Sequence, residues 1–253
     1  GCALAVLGGQ RQRYRRFGYE LGGTQWQFTV TARNLRGLPE PEDASVRPLC
    51  EADIPQAFGL WNTQPVLGPR TPQTFLRILQ SWGCEPLGVW NGGQLAGYAG
   101  CNAQGQMMEL CVQSAALLPP LLRAYLARCA ELTVMLGPWS GALQRALAGY
   151  AEHSVLTENH SYRVLRWEPV VRAALALERL SGQAPAACRL PIAGAGTLEL
   201  QAGVCRFRED HSTQGISPTQ AVQLLFGPAS RLVLPAAGPS LPLPFMLPWL
   251  DGI

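Results

Sequence analysis

The sequence predicts a mixed α/β (α+β) protein, and three observations carry that prediction. Short apolar runs of strand length alternate with amphipathic helical stretches along nearly all of the 253 residues. One hairpin stands out: "PLGVWNGGQLAGYAGC" sets Asn91-Gly92-Gly93 between two apolar runs, and such residues accept the positive φ of a tight turn. From Glu168 the texture changes to an amphipathic helix, an alternating strand pair and a capped helix. With 47% hydrophobic and 15% charged residues, the composition is that of a globular protein with ample core.

The elements follow in order. "CALAVL" predicts a strand over Ala3–Leu7, buried on both faces because it is continuously apolar. A helix over Gln10–Phe17 carries Arg11, Arg13, Arg15 and Arg16 around Tyr14. These arginines do not all point one way at helical spacing, so they read as a solvated face. In a strand over Thr24–Ala32, Trp26, Phe28, Val30 and Ala32 alternate with Gln25, Gln27, Thr29 and Thr31, the pattern of a half-buried strand. About 35 residues cannot bury a core alone, so this first piece must lean on another. "RGLPEPEDAS" is a linker by its prolines and acids.

"VRPLCEADIPQAFGLWNTQ" then predicts a short strand and a helix with Glu51 or Asp53 near its start, and a second helix covers Pro72–Trp82. After the hairpin come a strand in "MMELCVQS", a helix over Leu117–Cys129, a strand in "LTVMLG", a helix over Ser140–Glu152 and a strand near Tyr162–Trp167. In the last block "EPVVRAALALERL" is a helix, and "GTLELQAGVCRF" alternates as a strand pair without a clear turn. "SPTQAVQLLFG" is a helix that Ser217 caps, Pro218 opens and Gly227 stops. The proline-spaced apolar end, "PLPFMLPWLDGI", is expected to lie extended over a hydrophobic groove.

Several classes are disfavoured. A net charge of +3, with no basic stripe interleaved with aromatics, argues against nucleic acid as a partner. No apolar run approaches the ~20 residues of a membrane helix. All 20 basic residues are arginine, as a GC-rich genome would favour, so no lysine can act as base or Schiff-base nucleophile. The 8 cysteines form no C-x-x-C pair and the 3 histidines do not cluster with them, which argues against a metal site. With no signal peptide visible, the expectation is reduced thiols in a cytoplasmic protein, with Cys101 and Cys111 as buried hydrophobes. His153, His160 and His211 have carboxylates nearby in sequence but no nucleophile to serve, and read as surface residues. The chain opens on Gly1 and goes at once into an apolar strand, so it reads as part of a longer polypeptide. The free edge of that strand predicts association, as a homo-oligomer.

The segment "LAVLGGQRQRYRRFGYELGG" resembles the closing part of a GNAT acetyltransferase domain: a strand, a helix, then the last strands. More narrowly, "YRRFGYE" is similar to the Y-x-R-F-G-Y signature of the enhanced intracellular survival family of aminoglycoside-acetylating enzymes and their bacterial relatives. Those proteins join a catalytic GNAT domain, a second non-catalytic GNAT-like domain and a sterol carrier protein-like domain. The resemblance implies a remnant of the first GNAT domain at 1–36, a linker at 37–45, a degenerate GNAT-like mixed sheet with helices at 46–167, and a small sterol carrier-like α+β domain at 168–253.

It further implies an acetyl-CoA-dependent N-acetyltransferase acting on a small-molecule or peptide amine. Tyr14 would be the general acid, and the chain-terminal carboxylate of Ile253 the general base. A tyrosine of pKa ~10 suits the first role, being protonated near neutral pH yet able to pass a proton to a leaving thiolate. The pattern is departed from in three ways. The Gln/Arg-x-x-Gly-x-Gly/Ala loop that grips the cofactor's pyrophosphate is absent, and the corresponding stretch of the second domain, "CVQSAALLPPLLRAYL", has no glycine. Isoleucine also replaces an aromatic terminal residue. The chain by itself is therefore expected to be inactive, with its cofactor-binding residues unknown. The alternative is a non-catalytic assembly or apolar-ligand module on the same folds.

Overall fold

The computed structural model describes residues 1–181, 187–210, 212–228 and 243–247. Along the chain run β1 (Leu4–Leu7), α1 (Arg11–Arg15), β2 (Glu20–Gly22), β3 (Gln25–Thr31), β4 (Ala44–Pro48), α2 (Ile54–Trp61) and α3 (Pro72–Leu79). Then come β5 (Cys84–Asn91), β6 (Gln94–Asn102), β7 (Gln106–Val112), α4 (Leu118–Leu126), β8 (Glu131–Leu136), α5 (Gly141–Ala148), β9 (His153–Thr157) and β10 (His160–Val164). The remainder is α6 (Trp167–Ser181), β11 (Cys188–Ile192), β12 (Gly196–Gln201), β13 (Val204–Glu209) and α7 (Pro218–Phe226). This is the mixed α/β content that the sequence predicts.

The chain forms two compact units, each discontinuous in sequence. The first comprises Gly1–Gln25, Gly137–Trp139 and the described part of Leu156–Leu247. It holds an antiparallel sheet in the order β1-β10-β2 and a second in the order β11-β12-β13. One apolar core joins Val171 and Leu175 of α6, Leu198 and Leu200 of β12, Val222 and Leu225 of α7, and Tyr162 of β10. The second unit, built from Trp26–Leu136 and Ser140–Val155, carries a mixed sheet ordered β4-β5-β6-β7-β8-β3-β9. Phe28, Val30, Leu118, Leu122 and Leu132 lie in its larger core, and Trp61, Phe75 and Tyr98 in a second aromatic cluster.

The two units share a construction. In the first, the strand–helix–strand segment β1-α1-β2 is parted by β10, which comes from far along the chain. In the second, the segment β8-α5-β9 is parted by β3, which comes from far back. The compact units thus cut the chain differently from the domain limits read in the sequence at 36, 45 and 167.

Other differences are local. β1 is half-buried at every position rather than sealed on both faces, because only β10 flanks it. The helix expected to reach Glu152 stops at Ala148 on Gly149, whose N–H donates to the Ala146 and Arg145 carbonyls at 3.2 Å. The freed residues form β9, an element invisible to periodicity because its stabilising partner is distant in sequence. β11 contains Pro191, which argues against a central strand; it is accommodated at a sheet edge. The β12–β13 turn uses Ala202 at φ 50 and Gly203 at φ 75, so the non-glycine position hid the signal. At the expected hairpin, Gly92 and Gly93 take φ 56 and 79.

α7 starts as expected. Ser217 Oγ accepts the Gln220 N–H at 3.2 Å, and the Gln220 side chain accepts the Ser217 N–H at 2.9 Å, a reciprocal capping box. Against this helix lies the described part of the terminal segment, residues 243–247, with Leu243, Phe245 and Met246 buried. The Phe245 ring packs 5.1 Å from Phe226 and 5.3 Å from Tyr162. Two backbone bonds hold the segment: Leu243 N–H to the Leu225 carbonyl at 2.7 Å, and Thr24 N–H to the Phe245 carbonyl at 2.6 Å. The expected packing against apolar residues holds here; the residues after Leu247 lie outside the described ones.

Truncating Phe245 to alanine should cost ~3–5 kcal/mol, as for buried aromatics generally. Phe17→Ala, at a side chain that is 52% exposed, should stay within ~0.5 kcal/mol. Urea denaturation of both variants checks the contrast.

Candidate functional site

The residues singled out in the sequence lie on the β1-β10-β2 sheet and its helix. α1 is a short turn of helix between β1 and β2, and Tyr14 lies on it half-buried. Its ring meets Tyr19 edge-on at 6.4 Å, and the Arg13 guanidinium lies 5.7 Å from its centre. Gly9, at φ 111, lets the chain pass beside this ring, for a Cβ there would sit 3.3 Å from Tyr14 Cε2.

The arginine cluster does not form a uniformly solvated face. Arg11 and Arg15, one turn apart, both reach Glu20 on β2, a residue with 0% exposure. Arg11 Nε donates to Glu20 Oε1 at 2.5 Å, and the Leu21 N–H donates to the same oxygen at 2.9 Å. Arg15 Nε lies 3.2 Å from Oε2, near enough to attract but not aligned for a hydrogen bond. The carboxylate beside Arg11 raises that guanidinium's pKa above its ordinary value. Arg13 and Arg16 remain exposed, Arg16 lying 4.7 Å over the Phe17 ring. A buried carboxylate is tolerated only when paired, so α1 is pinned to β2 by electrostatics more than by apolar packing.

Beside this clamp is a buried polar network that the sequence did not reveal. Asn159 Oδ1 accepts from the Tyr162 hydroxyl at 2.7 Å and from the Leu247 N–H at 3.2 Å. His160 Nδ1 lies 2.5 Å from the same oxygen. An amide oxygen only accepts, so His160 carries its proton on Nδ1. Asn159 Nδ2 donates to Gln25 Oε1 at 3.2 Å, and Gln25 Nε2 donates to Thr157 Oγ1 at 3.4 Å. His160 is thus not a surface residue: it is buried, and desolvation holds its pKa down to about 4. Burial likewise pushes the Tyr162 hydroxyl well up. The network ties β10 to the terminal segment through one side chain, Asn159, which only an unremarkable "TENH" turn marks in the sequence.

Of the two catalytic candidates, Tyr14 is placed on α1, while Ile253 lies outside the described residues, as does His211. In the second unit, α4 opens with Leu118-Pro119-Pro120, all buried. Two prolines remove two of the N–H donors with which a helix start could hold a phosphate. Elsewhere in this unit Arg70 forks onto Glu109 at 2.9 and 2.6 Å, and the Tyr98 hydroxyl donates to Glu109 at 2.7 Å. Burial pushes the thiols of Cys101 and Cys111 up to about 12, which fits their reading as small core hydrophobes. No helix among the described residues is long and apolar enough to cross a membrane.

No family model matches the sequence, and no curated protein matches it. Solved structures do. A GCN5-related N-acetyltransferase from Kribbella flavida is 19% identical with a TM-score of 0.57, over 98% of this chain and 71% of that one. One from Anabaena variabilis is 14% identical with a TM-score of 0.57, over 91% and 66%. Eis1 from Mycobacterium abscessus is 12% identical with a TM-score of 0.54, over 96% and 73%. The likeness is one of fold: the chain has the architecture of GNAT-type N-acetyltransferases. It spans between 66% and 73% of the length of these three neighbours.

Two measurements check the site. Replacing Arg11 and Arg15 together by alanine should cost ~3–5 kcal/mol, because an uncompensated buried carboxylate remains. Adding Glu20→Gln to that pair should recover at least half of the loss in urea titrations. The His160 pKa is lower folded than unfolded, so its neutral form stabilises the protein above pH 6.5, and that stabilisation is lost as pH falls towards about 4. In His160→Gln the decline of unfolding free energy across this window should be shallower.

Proposed function

We propose that this chain is the carboxy-terminal part of an acetyl-CoA-dependent N-acetyltransferase of the enhanced intracellular survival type, acting on a small-molecule or peptide amine. The observation that carries this reading is the fold likeness to N-acetyltransferases over 91–98% of the chain, combined with a tyrosine on the helix that directly follows β1. In this reading 168–253 is the sterol carrier-like domain, and the protein is a cytoplasmic homo-oligomer.

Acetyl transfer to an amine requires that the nitrogen lose a proton and the departing thiolate gain one. Tyr14, half-buried on α1, supplies the second proton from its hydroxyl. The α-carboxylate of Ile253 takes the first. An α-carboxylate of pKa ~3.5 is a weak base in water and needs partial burial to serve. The terminal segment supports this role as far as Leu247, where Asn159, Phe226 and Tyr162 hold it in place. Acetyl-CoA is the co-substrate, and its pyrophosphate requires a glycine-rich loop that this sequence does not contain. The proline-blocked start of α4 makes the second unit a scaffold instead of a second cofactor site.

The reading is tested in a polypeptide that supplies the cofactor loop ahead of Gly1. Tyr14→Phe should lower kcat by ~10²-fold with little change in KM, as loss of a general acid does. One residue added after Ile253 should abolish turnover; unchanged rates would sink the carboxylate's role. The chain alone should give no heat with acetyl-CoA in calorimetry, and micromolar affinity would overturn the reading of the missing loop.

A further inference from the structure

Within the first unit, the start of α6, the end of β10, β13 and the start of α7 enclose a half-open cavity of about 840 Å³ that the proposed chemistry does not use. This volume lies in the range of small-molecule sites. Its floor is apolar: Trp167 and Val222 are buried there, and Phe207 half-buried. Its rim is charged by Arg163, Arg166 and Arg172 against Glu168 and Glu209.

The charges are not equivalent. Glu168 is committed to Arg172 at 2.5 Å, one helical turn away, so that pair is neutral to a ligand. Arg166 spends one guanidinium nitrogen on the Gly1 carbonyl at 2.5 Å and keeps its charge. Arg163 has no ion pair among the described residues. It passes beside Gly18, where a Cβ would stand 3.5 Å from its Nε. Three arginines against two glutamates leave the lining with one net positive charge. The start of α6 lines the same space, and the positive end of its dipole adds to that sign.

We infer that this cavity is a binding site for an organic carboxylate with an apolar body, its carboxylate held by Arg163 and Arg166 and its body lying on Trp167, Phe207 and Val222. A single planar anion matches both the net charge and the guanidinium forks. A dianionic phosphate would meet Glu209 with charge to spare, and an organic cation would meet two uncommitted arginines.

Calorimetry on the whole chain tests this with three probes of one length: decanoate, decan-1-ol and decylammonium. Decanoate should bind one site at least fivefold more tightly than decan-1-ol, with decylammonium weaker still. A smaller preference, or no saturable binding of decanoate at 1 mM, overturns the assignment. Arg163→Glu, at an exposed position that folding does not need, should lower decanoate affinity by about tenfold, the worth of one charge-assisted contact. Ala195→Trp should occlude the mouth and lower the affinity of both decanoate and decanol. Retention of decanoate affinity in Arg163→Glu would place the ligand elsewhere and defeat the proposal.

Discussion

Two strands that change places hold this structure together. β10 fills the gap between β1 and β2, and β3 fills the gap between β8 and β9. Each gap has a row of backbone donors and acceptors on both sides, and such groups are costly to leave unpaired once buried. Neither sheet is complete until a segment far away in sequence has been delivered to it. The ladder of Leu4–Leu7 with Ser161–Val164, and of Trp26–Thr31 with Glu131–Leu136, are the long-range contacts on which everything else rests. Pairings of such sequence separation are closed late and at an entropic cost, so slow folding is expected of this topology.

Around β10 the polar groups are arranged so that few can be removed singly. Glu20 depends on Arg11 and Arg15, and Asn159 serves Tyr162, His160 and Leu247 with one oxygen. In a low-dielectric interior such sharing makes each member more valuable and the set less tolerant of partial loss. The terminal segment is therefore attached both by apolar contact at Phe245 and by polar bonds, among them the Leu247 N–H to the Asn159 side chain. The apolar contact resists water, and the polar ones set the register.

The turns and caps were legible because their signals are local. Asn91-Gly92-Gly93, Ser217-Pro218 and the alternation from Trp26 to Thr31 each act within a few residues. β9 and β11 were not legible. One follows a helix whose stop is a single glycine, and the other carries a proline that only an edge position excuses. At the candidate site Tyr14 and the arginines stood out by composition. Glu20 and Asn159 did not, because a lone acid and a lone amide carry no pattern until their partners converge on them. His160 was read as exposed for the same reason: its neighbour in sequence is Asn159, but its burial comes from the strands and rings packed around it.

The sequence by itself determined the mixed α/β class, most helices, the main hairpin, the cap of α7, and a resemblance carried by "YRRFGYE". These depend on φ/ψ preference and on periodicity, which are properties of short stretches. Only the tertiary structure decided which strands lie side by side, which arginines of "RQRYRR" bear a structural charge, and which cavity the last helices enclose. Backbone ladders and buried side-chain hydrogen bonds join residues more than a hundred positions apart as readily as neighbours, so their partners cannot be read from either strand alone.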